Sequence, residues 1–270
     1  MPAELQTTEP TFAFGRNWKR FLAHLSEDRV RDAEGSLRAM LDREDLAGTR
    51  FLDIGSGSGL FSLAAKRLGA SVHSLDVDAD SVACTRELRQ RFFPDDAAWV
   101  VEHGSALDRA RLGALGQFDV VYSWGVLHHT GDMWRALDNA ALPVREGGQL
   151  FIAIYNDQGL LSRYWTAVKR LYNRGALARW ALLALHVPYY VGLRGLVRRV
   201  RGAAAPERGM TLWYDLKDWL GGYPFEVATP ARIVDFYVRH GFVLTRIRTC
   251  GGRHGCNEFV FRRVAAEPTA

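Results

Sequence analysis

Three glycines at every second position, Gly55, Gly57 and Gly59, follow the run Phe51-Leu52-Asp53-Ile54, and Asp53 stands two residues ahead of the first. An apolar run into a glycine turn, then the periodic set Leu60, Phe61, Leu63, Ala64 and Leu68, reads as strand, turn and helix. Such a turn sets backbone N–H groups and a helix N-terminus beside a ligand with no side chains in the way. Asp76 ends a second strand-like run, Ala70 to Leu75. A carboxylate there can accept both hydroxyls of a ribose. Dinucleotide folds use the same device about 20 residues after their glycines, so Asp76 alone does not choose a ligand. Further on, His128 and His129 are adjacent. Imidazole suits proton removal from a hydroxyl near neutral pH; the bland alternative is that each histidine only caps a helix or packs in a wall.

The glycine spacing narrows the ligand. A dinucleotide fingerprint, G-x-G-x-x-G, would need glycine at position 60, where Leu60 stands, which disfavours a nicotinamide oxidoreductase. The run D-x-G-x-G-x-G from Asp53 to Gly59 resembles the first motif of the class I S-adenosylmethionine (SAM) methyltransferases. The resemblance continues in order through Gly104-Ser105-Ala106, through Phe118-Asp119 with Leu127-His128-His129, and through Glu146-Gly147-Gly148, covering about residues 48–155.

That resemblance implies an α/β, Rossmann-like fold: a seven-stranded mixed sheet of five parallel strands and an antiparallel hairpin, flanked by helices. It implies SAM as cofactor, with Asp53, Gly55, Ser56, Gly57 and Gly59 along its methionine part and Asp76 and Val77 at the next strand end. Ser105 and Ala106 fall where the family contacts adenine; Ser105 replaces a frequent acid, which leaves backbone contacts. Ser123 and Trp124 lie in the loop beneath the reactive methyl, and His128 or His129 is the expected base, His128 slightly favoured. Within the family the chain looks most like the small-molecule, ubiquinone-type O-methyltransferases. The N-P-P-Y-like signature of amino methylation is replaced by Ser123-Trp124-Gly125-Val126, so oxygen is the expected acceptor, with nitrogen and carbon left open. A SAM-binding regulatory or partner protein without catalysis is the reading from another class.

The elements that must position these residues divide the sequence into four segments. Residues 1–47 are an N-terminal helical lid, or an ordinary helical layer on the core, with helices over Phe12 to Leu25 and Ser36 to Asp45. As a lid it would bring Arg16 to the SAM carboxylate and stack Trp18 near the ligand. Residues 48–155 are the SAM-binding core, with the ligand at the carboxyl ends of its parallel strands. Residues 156–228 are an insertion of the kind that builds substrate pockets in this family. Tyr155 and Asn156 lie at its entry, and Trp213 and Tyr223 belong to an aromatic stretch that makes either a satellite core or a pocket wall. Residues 229–270 complete the core: Thr229-Pro230 starts a helix that Gly241 ends, and Phe242–Thr249 and Asn257–Val264 make the hairpin. Its glycine-rich loop offers Arg253, His254 and Asn257 to the substrate. Cys250, His254 and Cys256 crowd one turn too closely for a good metal site, so no metal is expected.

Composition sets the remaining bounds. Of 270 residues, 48% are hydrophobic, enough for a sizeable core, and three cysteines without an apolar leader point to a reducing cytoplasm. The net charge of +5 hides an asymmetry: from Gln158 to Pro206 there is no Asp or Glu but nine Arg and Lys. That stretch is a solvated face, a peripheral contact with the inner face of an anionic membrane through 161–201, or an attractor for a hydrophobic or anionic small-molecule substrate. Nucleic acid ranks last, for want of an accompanying motif. Sequence leaves the oligomeric state unassigned.

Overall fold

The computed structural model describes residues 25–188, 216 and 219–264. Among them the chain divides at Gly159 and Phe225: residues 25–158 and 226–264 form one compact unit, and the described part of Gly159–Phe225 forms a second.

The first unit is built on a sheet of β1 (Arg50–Ile54), β2 (Ser71–Asp76), β3 (Trp99–His103), β4 (Phe118–Trp124), β5 (Val144–Tyr155), β6 (Phe242–Arg248) and β7 (Cys256–Arg263). Their order is β3-β2-β1-β4-β5-β7-β6. The first five are mutually parallel, and β7 joins β5 antiparallel and carries β6 at the edge. This is the seven-stranded mixed sheet that the resemblance implies. The inner strands are nearly continuous apolar runs because both sheet faces are covered. Phe51 packs with Val72, Val120, Tyr122 and Phe151 on one face, whereas Leu52 and Ile54 pack with Leu75, Val121, Leu150 and Ile152 on the other. One residue of slip in β1 would exchange the two sets.

One face carries α1 (Glu27–Leu41), α2 (Leu60–Arg67) and α3 (Ala79–Phe92); the other carries α4 (Arg109–Ala114), α5 (Met133–Ala141) and α8 (Pro230–Arg239). The first of these helices departs from the sequence reading of Ser36 to Asp45. Ser26 is its N-cap, accepting from the Arg29 N–H, and the buried side is Val30, Ala33, Leu37, Met40 and Leu41. Arg67 of α2 holds it by ion pairs to Glu27 (2.6 Å) and Glu34 (2.9 Å). At the other end Thr229 caps α8, with Pro230 at its first turn as expected, and the buried Tyr237 hydroxyl donates to the Leu137 carbonyl at 3.1 Å.

The second unit holds α6 (Leu160–Tyr172) and α7 (Ala176–Val187). His186 ties them together. Its Nδ1–H donates to the Leu182 carbonyl (2.8 Å), which leaves Nε2 to accept from the Tyr164 hydroxyl (3.0 Å). Lys169 is buried here, its ammonium over the rings of Trp219 (4.1 Å) and Phe225 (4.7 Å) and donating to the Trp219 carbonyl. Cation–π contact and a carbonyl acceptor offset the desolvation of that charge.

Candidate functional site

Because β1 to β5 run parallel, their carboxyl ends line one edge of the sheet, and strand order reverses between β1 and β4. In open α/β sheets ligands bind in the crevice at that reversal. The glycine turn leaves β1 there. Gly55, Gly57 and Gly59 all have positive φ (82°, 55° and 80°), where a side chain is strained. The turn is pinned from beneath, since the Gly55 and Ser56 N–H groups both donate to the Leu75 carbonyl (2.7 and 3.1 Å). A Cβ on Gly55 would overlap both methyls of Val126, in the loop after β4. Gly55→Ala therefore combines left-handed strain with overpacking, about 2–5 kcal/mol together. We expect its melting temperature to fall by about 5–15 °C, and Val126→Ala to restore only the packing part. Equal melting of Gly55→Ala and the parent would contradict this geometry.

Two buried carboxylates flank the turn. Asp53 accepts from the Ser62 hydroxyl (2.5 Å), Ser62 lies 2.7 Å from the Ser74 hydroxyl, and the Trp99 indole N–H donates to Ser74 (2.9 Å). An indole N–H can only donate, so the donors run from Trp99 through both serines towards Asp53. Burial outweighs the Ser62 bond, and with the nearby Asp76 charge it pushes the Asp53 pKa up to about 7. Asp76 accepts from the Gly57 N–H on one oxygen and the Asp78 N–H on the other, both at 2.8 Å; burial still raises its pKa despite both donors. Val77 beside it is 64% exposed, an apolar side chain left uncovered at the strand end.

The Asp53 shift makes a prediction with a definite sign. Between the ordinary carboxylate range and about 7 the folded chain holds a proton that the unfolded chain has released. Stability therefore falls as pH rises through that window and levels off above it. Asp53→Asn can still accept from Ser62 but has no proton to lose. Its stability relative to the parent should rise by up to ~4 kcal/mol between about pH 4 and pH 8, read by urea denaturation. A pH-independent difference would rule the shift out.

Along the same edge, the Ser105 hydroxyl accepts from the Leu107 N–H (3.1 Å), and the Ala106 carbonyl accepts from the Asn139 side chain (3.0 Å). The Ser123 hydroxyl donates to the Ile54 carbonyl (2.9 Å), joining β4 to β1 inside the sheet, and Trp124 donates to Glu258 (3.3 Å). A 3-10 turn, Leu127–His129, carries the histidine pair. The two imidazole centroids are 4.5 Å apart, and the Tyr155 ring lies 4.2 Å from His128 and 5.5 Å from His129. His128 is 0% exposed, whereas His129 is partly open to solvent. A residue the sequence did not single out braces this turn. The Glu226 N–H donates to the His128 carbonyl (2.9 Å), and its carboxylate accepts from the Met133 N–H at the start of α5 (3.0 Å). Burial raises the Glu226 pKa despite that donor.

Asn156 and Asn257 are brought together, the Asn257 amide donating to the Asn156 side-chain oxygen (3.0 Å) and its own oxygen accepting from the Cys250 N–H (3.1 Å). Arg253 and His254 sit exposed in the β6–β7 loop. Tyr223 belongs to the second unit. Arg16, Trp18 and Trp213 lie outside the described residues. Among the described residues no group of three or more His, Cys, Asp or Glu could hold a metal ion.

Residues 15–203 match a family described as "Methyltransferase domain". A ubiquinone biosynthesis O-methyltransferase of Sinorhizobium medicae is 30% identical over 148 residues, 55% of this chain and 58% of that protein. One from Pseudomonas aeruginosa is 34% identical over 122 residues, 43% of this chain and 48% of that protein. The chain thus spans about half the length of these curated relatives. Among solved structures, an O-methyltransferase family protein from Burkholderia thailandensis aligns with a TM-score of 0.57 at 16% identity, covering 97% of this chain and 67% of that one. Magnesium protoporphyrin IX methyltransferase from Synechocystis, crystallised with SAH, aligns at 0.53 and 14% identity, covering 87% and 83%. At these identities the structural likeness speaks for the fold.

Proposed function

This chain belongs to the class I SAM-dependent methyltransferases, and on that premise we propose that it transfers a methyl group to a hydroxyl oxygen of a small molecule, with His129 as the general base. The observation that carries the reading is the meeting of two loops at the sheet's reversal point. Val126 touches the glycine turn, and the histidine pair begins two residues later on the same loop.

The residues present fit the cofactor. The turn offers backbone without side chains at three positive-φ glycines, and Asp76 retains an acceptor lone pair on each oxygen for a vicinal diol. The uncovered Val77 suits the face of a base. Bound SAM supplies an electrophilic methyl on a sulfonium that is already a good leaving group. What the chain must add is alignment of the acceptor, exclusion of water and a place for the hydroxyl proton. His129 has the solvent access for that last task; His128, enclosed against Tyr155, fixes the wall behind it. Asn156 and Asn257, tied to each other, support the reading of a polar rim for the acceptor. The O-methyltransferase names of the relatives and the Ser-Trp-Gly-Val run that spans the end of β4 both favour oxygen. Three cysteines in 270 residues support a reducing, cytoplasmic setting.

Calorimetry with SAM, S-adenosylhomocysteine (SAH) and NADH tests the premise, and incubation of cell extract with methyl-labelled SAM tests the acceptor. We expect binding of the first two ligands and not the third, with label recovered in a low-molecular-mass product bearing its methyl on oxygen. Binding without turnover would favour a regulatory protein, and label on nitrogen, carbon or a macromolecule would refute the oxygen assignment.

A further inference from the structure

The second unit turns apolar side chains outward. On α7, Leu177, Trp180, Ala181, Ala184 and Leu185 recur at the spacing of one helix face, and every one of them is exposed. Leu177 is 87%, Trp180 68% and Leu185 67% exposed, while the opposite side, Leu182, Leu183 and His186, is buried. A helix whose outer face is as apolar as its inner one is unusual in water and marks an interaction surface. On α6 the exposed residues Leu160, Tyr164, Ala167 and Leu171 likewise share a face, with Arg163 and Arg170 along its edge.

The charge identifies the occupant. Arg163, Arg170, Arg174 and Arg179, in these helices and the turn between them, are exposed, and the sequence places no acid between Gln158 and Pro206. A tryptophan and leucines on an outward stripe, bordered by arginines alone, match an anionic lipid surface on both counts: apolar side chains for the acyl boundary and guanidiniums for the phosphates. No helix of the described residues is long and apolar enough to cross a membrane. We propose that α6 and α7 seat this protein on the surface of an anionic bilayer, with Leu177, Trp180 and Leu185 entering the headgroup region. A contact of this kind lets an enzyme meet acceptors dissolved in lipid without a spanning anchor.

The test is co-sedimentation of the full chain with phosphatidylcholine vesicles, with and without phosphatidylglycerol. We expect binding to the anionic vesicles that weakens as salt rises. Leu177→Ser/Trp180→Ser/Leu185→Ser should lower the partition coefficient at least about 100-fold, given what burial of each side chain contributes. Arg163→Gln/Arg170→Gln should lower it about 25-fold, roughly fivefold per charge. Both variants should bind SAH as the parent does, which separates loss of the surface from misfolding and from failure of the methyltransferase reading. Absence of binding to anionic vesicles, or unchanged binding by the triple variant, would overturn the proposal. So would a smaller oligomer for the triple variant than for the parent on size exclusion, because the stripe would then cover a second copy of the chain.

Discussion

Asp76→Ala should lose about 100-fold or more in affinity for SAH while unfolding within about 1 kcal/mol of the parent. The two halves of that expectation have different causes. Each Asp76 oxygen already accepts one backbone N–H, Gly57 on the glycine turn and Asp78 at the head of α3, and each keeps a lone pair for a ribose hydroxyl. Hydrogen bonds to a charged group contribute about 1.5–3 kcal/mol each, so losing two ribose bonds and the tether of the turn removes at least two decades of affinity. The folded protein gains little from the carboxylate itself, because burial raises its pKa in spite of both donors. A carboxyl group whose ionised form the fold disfavours, at the end of a strand beside the glycine turn, points to use by a ligand. Asp76→Asn keeps one acceptor oxygen and should fall between, near tenfold. Calorimetry with SAH and urea denaturation on the same samples separate the two effects. Parental affinity in Asp76→Ala would remove the ribose assignment, and a large stability loss with intact affinity would make Asp76 a structural residue.

The parts of this site that sequence could disclose are those set by local rules. An apolar run, three alternating glycines and a helical period determine a turn wherever they occur, and the structure has β1, the positive-φ glycines and α2 in that order. Local rules also misled. The sequence reading places a helix over Ser36 to Asp45; the chain instead begins α1 after the Ser26 cap and runs straight through Gly35, where a Cβ would meet nothing within 4 Å. The period of Val30, Ala33, Leu37 and Leu41 outweighs the glycine penalty of about 1 kcal/mol because that face is buried. Gly147 and Gly148 likewise do not interrupt the chain, since they lie inside β5. A Cβ on Gly148 would press on the Arg145 and Asp119 carbonyls at 2.8 and 3.1 Å, and the β4–β5 register shifts nearby. Nothing local connects Glu226 to Met133, or Trp99 through Ser74 and Ser62 to Asp53. These partners meet only when the sheet order is known, so residues of ordinary type and spacing gave no sign of their place at the site.

The histidine pair is where sequence and structure lead to different experiments. The sequence reading leaned towards His128, but its ring is fully enclosed between His129 and Tyr155, and a base must reach its substrate. His129→Ala should lower kcat on the identified acceptor by about 10²–10⁴-fold with SAH affinity unchanged, and the acidic limb of the kcat/KM profile should disappear, as removal of a general base requires. His129→Gln keeps the polarity but not the proton chemistry and should behave as the alanine variant does. His128→Ala should act through packing instead. It opens a cavity beneath Tyr155 at a turn braced by Glu226, costing about 2–4 kcal/mol of stability, while the surviving folded enzyme keeps its acidic limb. Glu226→Gln should resemble a milder His128→Ala: it retains an acceptor for the Met133 N–H, so the turn loosens without collapsing. If His128→Ala abolishes the acidic limb and His129→Ala leaves it in place, the roles are reversed, and the loop must open on substrate binding to expose the inner ring. If both variants retain parental rates and profiles, neither imidazole takes the proton, and alignment against the sulfonium methyl suffices for the chemistry.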